Sequence, residues 1–264
     1  DLAIKKIIRS SISDLVCKGV YPKYYFISAS GNKKNFSRKN LKKISSSLIQ
    51  EQKKFKIFLG GGDTVYSDKL SFTVTSIGFS KKIVKRNNTK LNDDIYVTGN
   101  IGDSYIGLLS LKKKIRLSSN KRNYFENKYY KPIIQIKIIK EINKFANSSI
   151  DISDGLIADL KKIVNEKKFS YNIRLNDIPL SKYLLNLLKK KKKSKINYIS
   201  KGDDYQILFT SKKSKRGIIK KLSKKLNIKI TKIGSIQKNN QKSSIVGDNN
   251  TLIKLKYTGH FHKF

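Results

Sequence analysis

Acids are scarce in this chain, 18 Asp and Glu against 59 Lys and Arg, yet eight of the 18 fall in five short, mostly glycine-flanked segments. These are Ser13-Asp14-Leu15, Gly61-Gly62-Asp63-Thr64, Gly102-Asp103-Ser104, Asp151-Ile152-Ser153-Asp154-Gly155 (with Asp159 one turn on) and Gly202-Asp203-Asp204-Tyr205. Hard cations such as Mg²⁺ take carboxylate oxygens, and glycine lets the backbone approach a phosphate closely. Rare acids gathered beside glycines and small hydroxyls therefore point to a divalent-metal and phosphate site.

At 264 residues the chain suits two domains or one large one, and Ile, Leu, Val, Phe and Tyr recur periodically enough for a globular core. No run approaches 18 consecutive apolar residues, so no membrane helix is expected. The single cysteine, Cys17, excludes an internal disulfide framework, and after Leu15-Val16 it reads as a small buried hydrophobe. A cytoplasmic setting is the expectation. Helical periodicity is already running at Asp1 (Ile4, Ile7, Ile8, Ile12, Leu15) and Met is absent, which predicts a natural N-terminal segment upstream.

The formal net charge of +41 invites a nucleic-acid reading. Two features weigh against it. Lysine is spread along the whole length in company with Ile, Asn and Ser, as AT-rich coding DNA would give, and the one dense run, Lys189 to Lys193, reads as a solvated helix end. No zinc-ligand set, aromatic RNA-binding signature or basic zipper is present. Polyanionic small substrates fit the charge, and no specific nucleic acid or membrane partner is expected.

Periodicity predicts helices over 1–18, 38–54, 104–112, 132–145, 153–165 and 213–226, and strands over 24–29, 55–59, 70–79, 95–97, 171–175, 205–210 and 228–236. The 55–59 strand should run into a glycine turn at Gly60-Gly61-Gly62-Asp63, and Asp151 should end a strand. The Asn- and Lys-rich stretch 85–94 marks a domain boundary, giving an N-terminal domain over 1–88 and a C-terminal one over 89–264. The alternation is that of an α/β or α+β fold without a fixed repeat.

Asp151-Ile152-Ser153-Asp154 is the most specific segment, because an acid and a hydroxyl converge where a helix begins, and that end of a helix binds phosphate. Plain N-capping by Ser or Asp is the competing account, but two acids around one hydroxyl exceed what a cap needs. Asp159, more than a turn away, reads as structural. In Gly202-Asp203-Asp204-Tyr205 neighbouring acids point to opposite faces, so one at most meets a given ligand. Gly99 to Ser104 lacks the lysine and spacing of a P-loop, and the only histidines, His260 and His262, lie near the end of the chain, which leaves no Ser-His-Asp set.

In this order the segments resemble the thiamine-monophosphate kinase family, within the superfamily of aminoimidazole ribonucleotide synthetase. The likeness runs from Asp1 to about Phe261 through Arg9 to Leu15, Gly61-Gly62-Asp63-Thr64, Val97-Thr98-Gly99, Gly102-Asp103-Ser104, Asp151 to Leu156, Gly202 to Tyr205 and His260-Phe261. The resemblance implies a two-domain α/β (α+β) fold, ATP-dependent phosphorylation of thiamine monophosphate to thiamine diphosphate with several Mg²⁺ ions, and a homodimer paired through N-terminal sheets. Selenophosphate synthetase is the nearest alternative within the superfamily. By position the resemblance assigns metal to Asp14, Asp63, Asp151 and Asp154, ATP to Gly62, Asp63, Arg86 and Ser153, and substrate to Asp203 and His260. It also marks departures: the family's first sixty or so residues do not precede Asp1, Asp203 stands where Glu is usual, and the Arg usual near Pro132 to Gln135 is absent.

Overall fold

A computed structural model describes residues 1–164, 168–191, 194–240, 242–247 and 251–253; His260 lies outside the described residues. Helix α1 (Leu2–Cys17) buries Ile4, Ile8, Ile12 and Val16, one per turn, and ends at Gly19, whose φ of 77° lets the chain reverse. Strand β1 (Tyr21–Gly31) follows. Helix α2 (Arg38–Phe55) is capped by Ser37, whose side chain accepts from the Asn40 N–H. Strands β2 (Phe58–Tyr66) and β3 (Ser71–Phe79) complete a three-stranded sheet in the order β2-β1-β3, with β2 parallel and β3 antiparallel to β1.

The glycine run is where structure and sequence reading part. Gly60 to Gly62 lie inside β2 and make no turn. The register skips from Tyr25–Leu59 to Phe26–Gly61, leaving Gly60 as the extra residue of a bulge with Gly61 at φ 147°. A Cβ on Gly62 would stand 1.8 Å from the Ile27 carbonyl oxygen, so this close pairing requires glycine. The polypeptide exploits glycine for strand contact as much as for φ.

The second half comprises β4 (Asp94–Thr98), α3 (Asp103–Leu111), α4 (Ser119–Tyr130), α5 (Ile139–Ile142), β5 (Ser148–Asp151), α6 (Leu156–Val164), β6 (Phe169–Arg174), α7 (Lys182–Lys191), α8 (Ile196–Ile199), β7 (Ile207–Ser211), α9 (Arg216–Leu226), β8 (Ile230–Lys238) and β9 (Ser244–Val246). Six strands form one sheet in the order β5-β7-β4-β8-β6-β9. Period-two alternation serves both faces: Ile95, Val97 and Leu208 enter one core with α3, α6 and α7, while Tyr96, Ile207 and Phe209 enter another with α1 and α9. That second core also takes Tyr25 from β1 and, at its edge, Val74 from β3. Helix α1 is thus packed between the two sheets.

One expected helix fails and one unexpected helix forms. The stretch 132–145 holds only a 3₁₀ turn and the four-residue α5. It starts at Pro132 and is rich in β-branched Ile, and its first residues run extended past Gln206, whose amide donates to the Ile133 carbonyl at 3.2 Å. Helix α4, by contrast, carries no apolar stripe and buries only Phe125, so nothing periodic announced it.

Candidate active site

Ile7, Ser10, Ser11 and Asp14 occur at helical spacing on one face of α1, and that face forms a wall of an open cleft of about 490 Å³. Phe72, Thr73 and Val74 of β3 form a second wall, and Asp151, Ser153 and Tyr205 close the third. Two acids that are 137 positions apart in sequence, Asp14 and Asp151, so share one cavity.

Asp151 ends β5 and is almost fully buried. Burial, followed by the neighbouring Asp14 charge, pushes its carboxyl up to about 7, against a hydrogen bond from the Ser13 hydroxyl. Asp14 is largely exposed and pairs loosely with Lys18 at 3.7 Å. Two carboxylates so placed repel each other unless a cation lies between them. Among the described residues no three His, Cys, Asp or Glu side chains are grouped closely enough to hold a metal unaided. The pair therefore fits a hard cation that completes its shell with water and phosphate oxygens, the habit of Mg²⁺.

The loop after Asp151 does not offer its amides to a phosphate, as the sequence suggested. Asp159 Oδ2 accepts the N–H groups of Ser153, Asp154 and Gly155 at 2.9, 3.0 and 3.2 Å. Asp154 in turn pairs with Lys162, which also reaches Asp159 at 2.8 Å. Asp159 is a loop organiser, and Ser153 presents its side of the loop to the cleft.

The segment Gly202–Tyr205 lies against that loop through Asp203 N–H to Ser153 O and Tyr205 N–H to Ile152 O, both 2.9 Å. A Cβ on Gly202 would meet Ser153 O at 1.7 Å, so only glycine permits this contact. The two acids diverge as alternation requires. Asp203 meets Lys6 at 2.7 Å, and the Lys6 ammonium stands 4.2 Å from the Tyr129 ring centre and 4.8 Å from that of Tyr205. Burial pushes the Lys6 ammonium down and Asp203 opposes it. Asp204 turns the other way and accepts from Gly102 N–H at 2.8 Å and Ser104 N–H at 3.4 Å.

Gly62, Asp63, Arg86, Asp154 and Asp203 are not part of this cleft lining, although Asp154 and Asp203 adjoin its residue Ser153 through the chain and through the Asp203 N–H to Ser153 O bond. Asp63 shares a cross-strand row with Ser28 and Thr73, two strand spacings or about 10 Å from Thr73. Arg86 is exposed in the segment after β3, where the nearby Val84 N–H donates to Lys18 O. Sequence reading missed the α1 hydroxyls Ser10, Ser11 and Ser13, although three- and four-residue spacing to Asp14 announces the first two. Lys6 and Tyr129 had no local signal at all, whereas the three-residue spacing from Asp159 to Lys162 announces their pair.

No protein-family profile matches the chain. A thiamine-monophosphate kinase of Buchnera aphidicola from Acyrthosiphon pisum is 36% identical over 261 residues, covering 97% of this chain and 79% of the relative. Its counterpart from the Schizaphis graminum symbiont is 39% identical over 236 residues, 88% of this chain and 69% of the relative. The chain belongs to the thiamine-monophosphate kinase family. Among solved structures, the Aquifex aeolicus thiamine monophosphate kinase superposes with a TM-score of 0.82 at 26% identity, over 96% of this chain and 82% of that one. AaThiL complexed with AMPPCP and TMP gives 0.81 at 25%, over 98% and 81%. The hydrogenase-maturation protein HypE of Escherichia coli, at 15% identity and a TM-score of 0.78 over 98% and 80%, shares the fold. The expected superfamily fold is thus the one observed.

In a member of this kinase family the buried Asp204 carries a testable signature. Burial, above all, pushes its carboxyl up to about 8, against the Gly102 N–H. The folded protein then holds a proton that the unfolded chain releases near pH 4, so the associated stability is complete at low pH and is lost as pH rises through about 8. Relative to Asp204→Asn, which mimics the neutral acid, the wild-type melting temperature should fall by roughly 5–10 °C between about pH 5 and pH 8. Parallel melting curves across that range would refute the assignment.

Proposed function

We propose that this chain transfers the terminal phosphoryl group of ATP to thiamine monophosphate, with Mg²⁺ held by Asp14 and Asp151 and joined by Asp154. The observation that carries this reading is the convergence of Asp14 on the buried Asp151 in one open cleft, in a chain of this family. AaThiL in complex with AMPPCP, an ATP analogue, and TMP supports the same pair of substrates. Mg²⁺, when bound, would neutralise the anionic oxygens of both reactants.

A phosphate oxygen of thiamine monophosphate attacks the γ-phosphorus, the bond from that phosphorus to the ADP oxygen breaks, and ADP leaves as an anion. The attacking oxygen is already ionised at pH 7, so no strong base is needed and positioning dominates. Ser13 fixes the Asp151 carboxylate, and Asp159 holds the loop that presents Ser153. In this reading Ser153, Gly62, Asp63 and Arg86 serve ATP, while Asp63 adds a metal ligand and Asp203 and His260 serve the thiamine moiety.

The outer face of the first sheet exposes Tyr24, Phe26, Phe58, Ile77 and Phe79, with Phe58, Tyr24 and Ile77 in one cross-strand row. Such an apolar face suits pairing with a second copy, and the homodimer is part of the proposal. We assign the reaction to the cytoplasm, where ATP and Mg²⁺ are supplied; among the described residues no helix is long and apolar enough to cross a membrane.

The test is an assay of thiamine diphosphate and ADP formation from thiamine monophosphate and ATP. Product should appear with Mg²⁺ and vanish with excess chelator. ATP hydrolysis without thiamine diphosphate formation, or transfer to selenide, would overturn the reading.

A further inference from the structure

Lys162 is the one residue of the loop region whose placement the phosphoryl-transfer reading leaves unused. It projects from α6, one turn beyond Asp159, and its ammonium bridges the carboxylates of Asp154 and Asp159, the latter at 2.8 Å. Asp159 has no exposed side-chain surface and already accepts three loop N–H groups, so it is a fixed anchor. Asp154 and Lys162 are both partly exposed, so their contact can open to solvent. The result is a cation tethered on a buried acid and laid across the carboxylate of a residue proposed to hold metal.

We propose that Lys162 is a built-in counter-ion that occupies Asp154 in the metal-free protein and competes with the divalent cation for it. The proposal rests on the metal assignment made above. Before metal arrives, the ammonium offsets repulsion among Asp151, Asp154 and Asp159. When a divalent cation binds, Asp154 exchanges partners while Lys162 keeps its hold on Asp159, so the loop stays in place and only one carboxylate turns. Lys162 would thereby set the metal concentration at which the cleft fills.

The experiment is Mn²⁺ binding, followed by electron paramagnetic resonance without nucleotide or thiamine monophosphate, for wild type, Lys162→Met, Asp154→Asn and the double variant. Lys162→Met should bind Mn²⁺ about three- to fivefold more tightly, the size expected of a partly exposed ion pair. Asp154→Asn should cost affinity in the Lys162→Met background and little in the wild type, because in the wild type the carboxylate is already engaged. Equal losses in both backgrounds, or unchanged affinity in a folded Lys162→Met, overturn the proposal. Should Lys162→Met not fold, the wild type decides: Mg²⁺ should speed acylation of Lys162 as mapped by peptide mass spectrometry, and unaltered labelling overturns it. Absence of Mn²⁺ binding by every form at millimolar metal overturns the metal assignment itself, and this proposal with it. Tight binding with no thiamine-phosphate activity instead leaves the counter-ion standing and sinks only the kinase reading.

Discussion

Asp151→Asn is expected to lower turnover by about three orders of magnitude while leaving the metal-free protein as stable as before, or more so. Asn keeps the shape and can still accept from the Ser13 hydroxyl, so packing at the end of β5 survives. What disappears is the negative charge that faces Asp14 in the cleft. Stabilisation of developing charge is usually the largest single contribution in such transfers, and removal of one well-placed group commonly costs about 10²–10³ in rate. The opposite sign for stability follows from the carboxyl being held up to about 7 by burial and by Asp14. Above that pH the native state keeps a desolvated charge beside a like charge, and Asn relieves both. Steady-state formation of thiamine diphosphate and calorimetry at about pH 8 without metal read the two quantities. Near-normal turnover with a large loss of stability would make Asp151 a structural residue.

Arg9→Leu is expected to lower the melting temperature by roughly 10 °C or more, the result of a cost of about 3–5 kcal/mol. Arg9 lies on α1 with its guanidinium almost wholly buried, gripping Glu51 of α2 through Nε at 2.7 Å and Nη2 at 2.8 Å while Nη1 donates to Pro132 O at 3.1 Å. Removal of the arginine strands a carboxylate that has 2% of its side-chain surface exposed. Burying two charges is itself expensive, so the pair adds far less net stability than its breakage takes away. The double variant Arg9→Met, Glu51→Leu should accordingly recover most of the loss. A single variant that melts within a degree or two of wild type, or a double variant no better than the single, would refute this account. The pair also locks α1 to α2 and to the extended segment at Pro132, so the single variant should weaken metal binding by loosening the wall that carries Asp14.

Both residues show how differently the chain's features could be read. The strand end at Asp151 and the helix start after Gly155 were legible because the signal is local, an acid, a hydroxyl and a glycine within five residues, whereas the capture of the loop amides by Asp159 was not anticipated. The helix of α1, the strands of β1 and β3 and the alternation in β4 and β7 were legible for the same reason, since burial on one face or on alternate sides leaves a period in the sequence. Asp203 and Asp204 were expected to diverge, and they do, one to Lys6 and the other to Gly102. The glycine run was misread because a bulge and a turn demand glycine alike, and what separates them is the strand running alongside, β1, with Ile27 against Gly62.

By itself the sequence determined the helical and strand periods, the acids available for chemistry and the scarcity of any other catalytic group. Tertiary structure alone decided which acids meet. Asp14 reaches Asp151 only because α1 is packed between two sheets. The same packing leaves Asp63 in the cross-strand row of Thr73 but two strands away from it, outside the cleft lining. Those partners are fixed by long-range burial of Ile, Tyr and Phe in two cores, a sum over many distant contacts that leaves no mark at any one position of the chain.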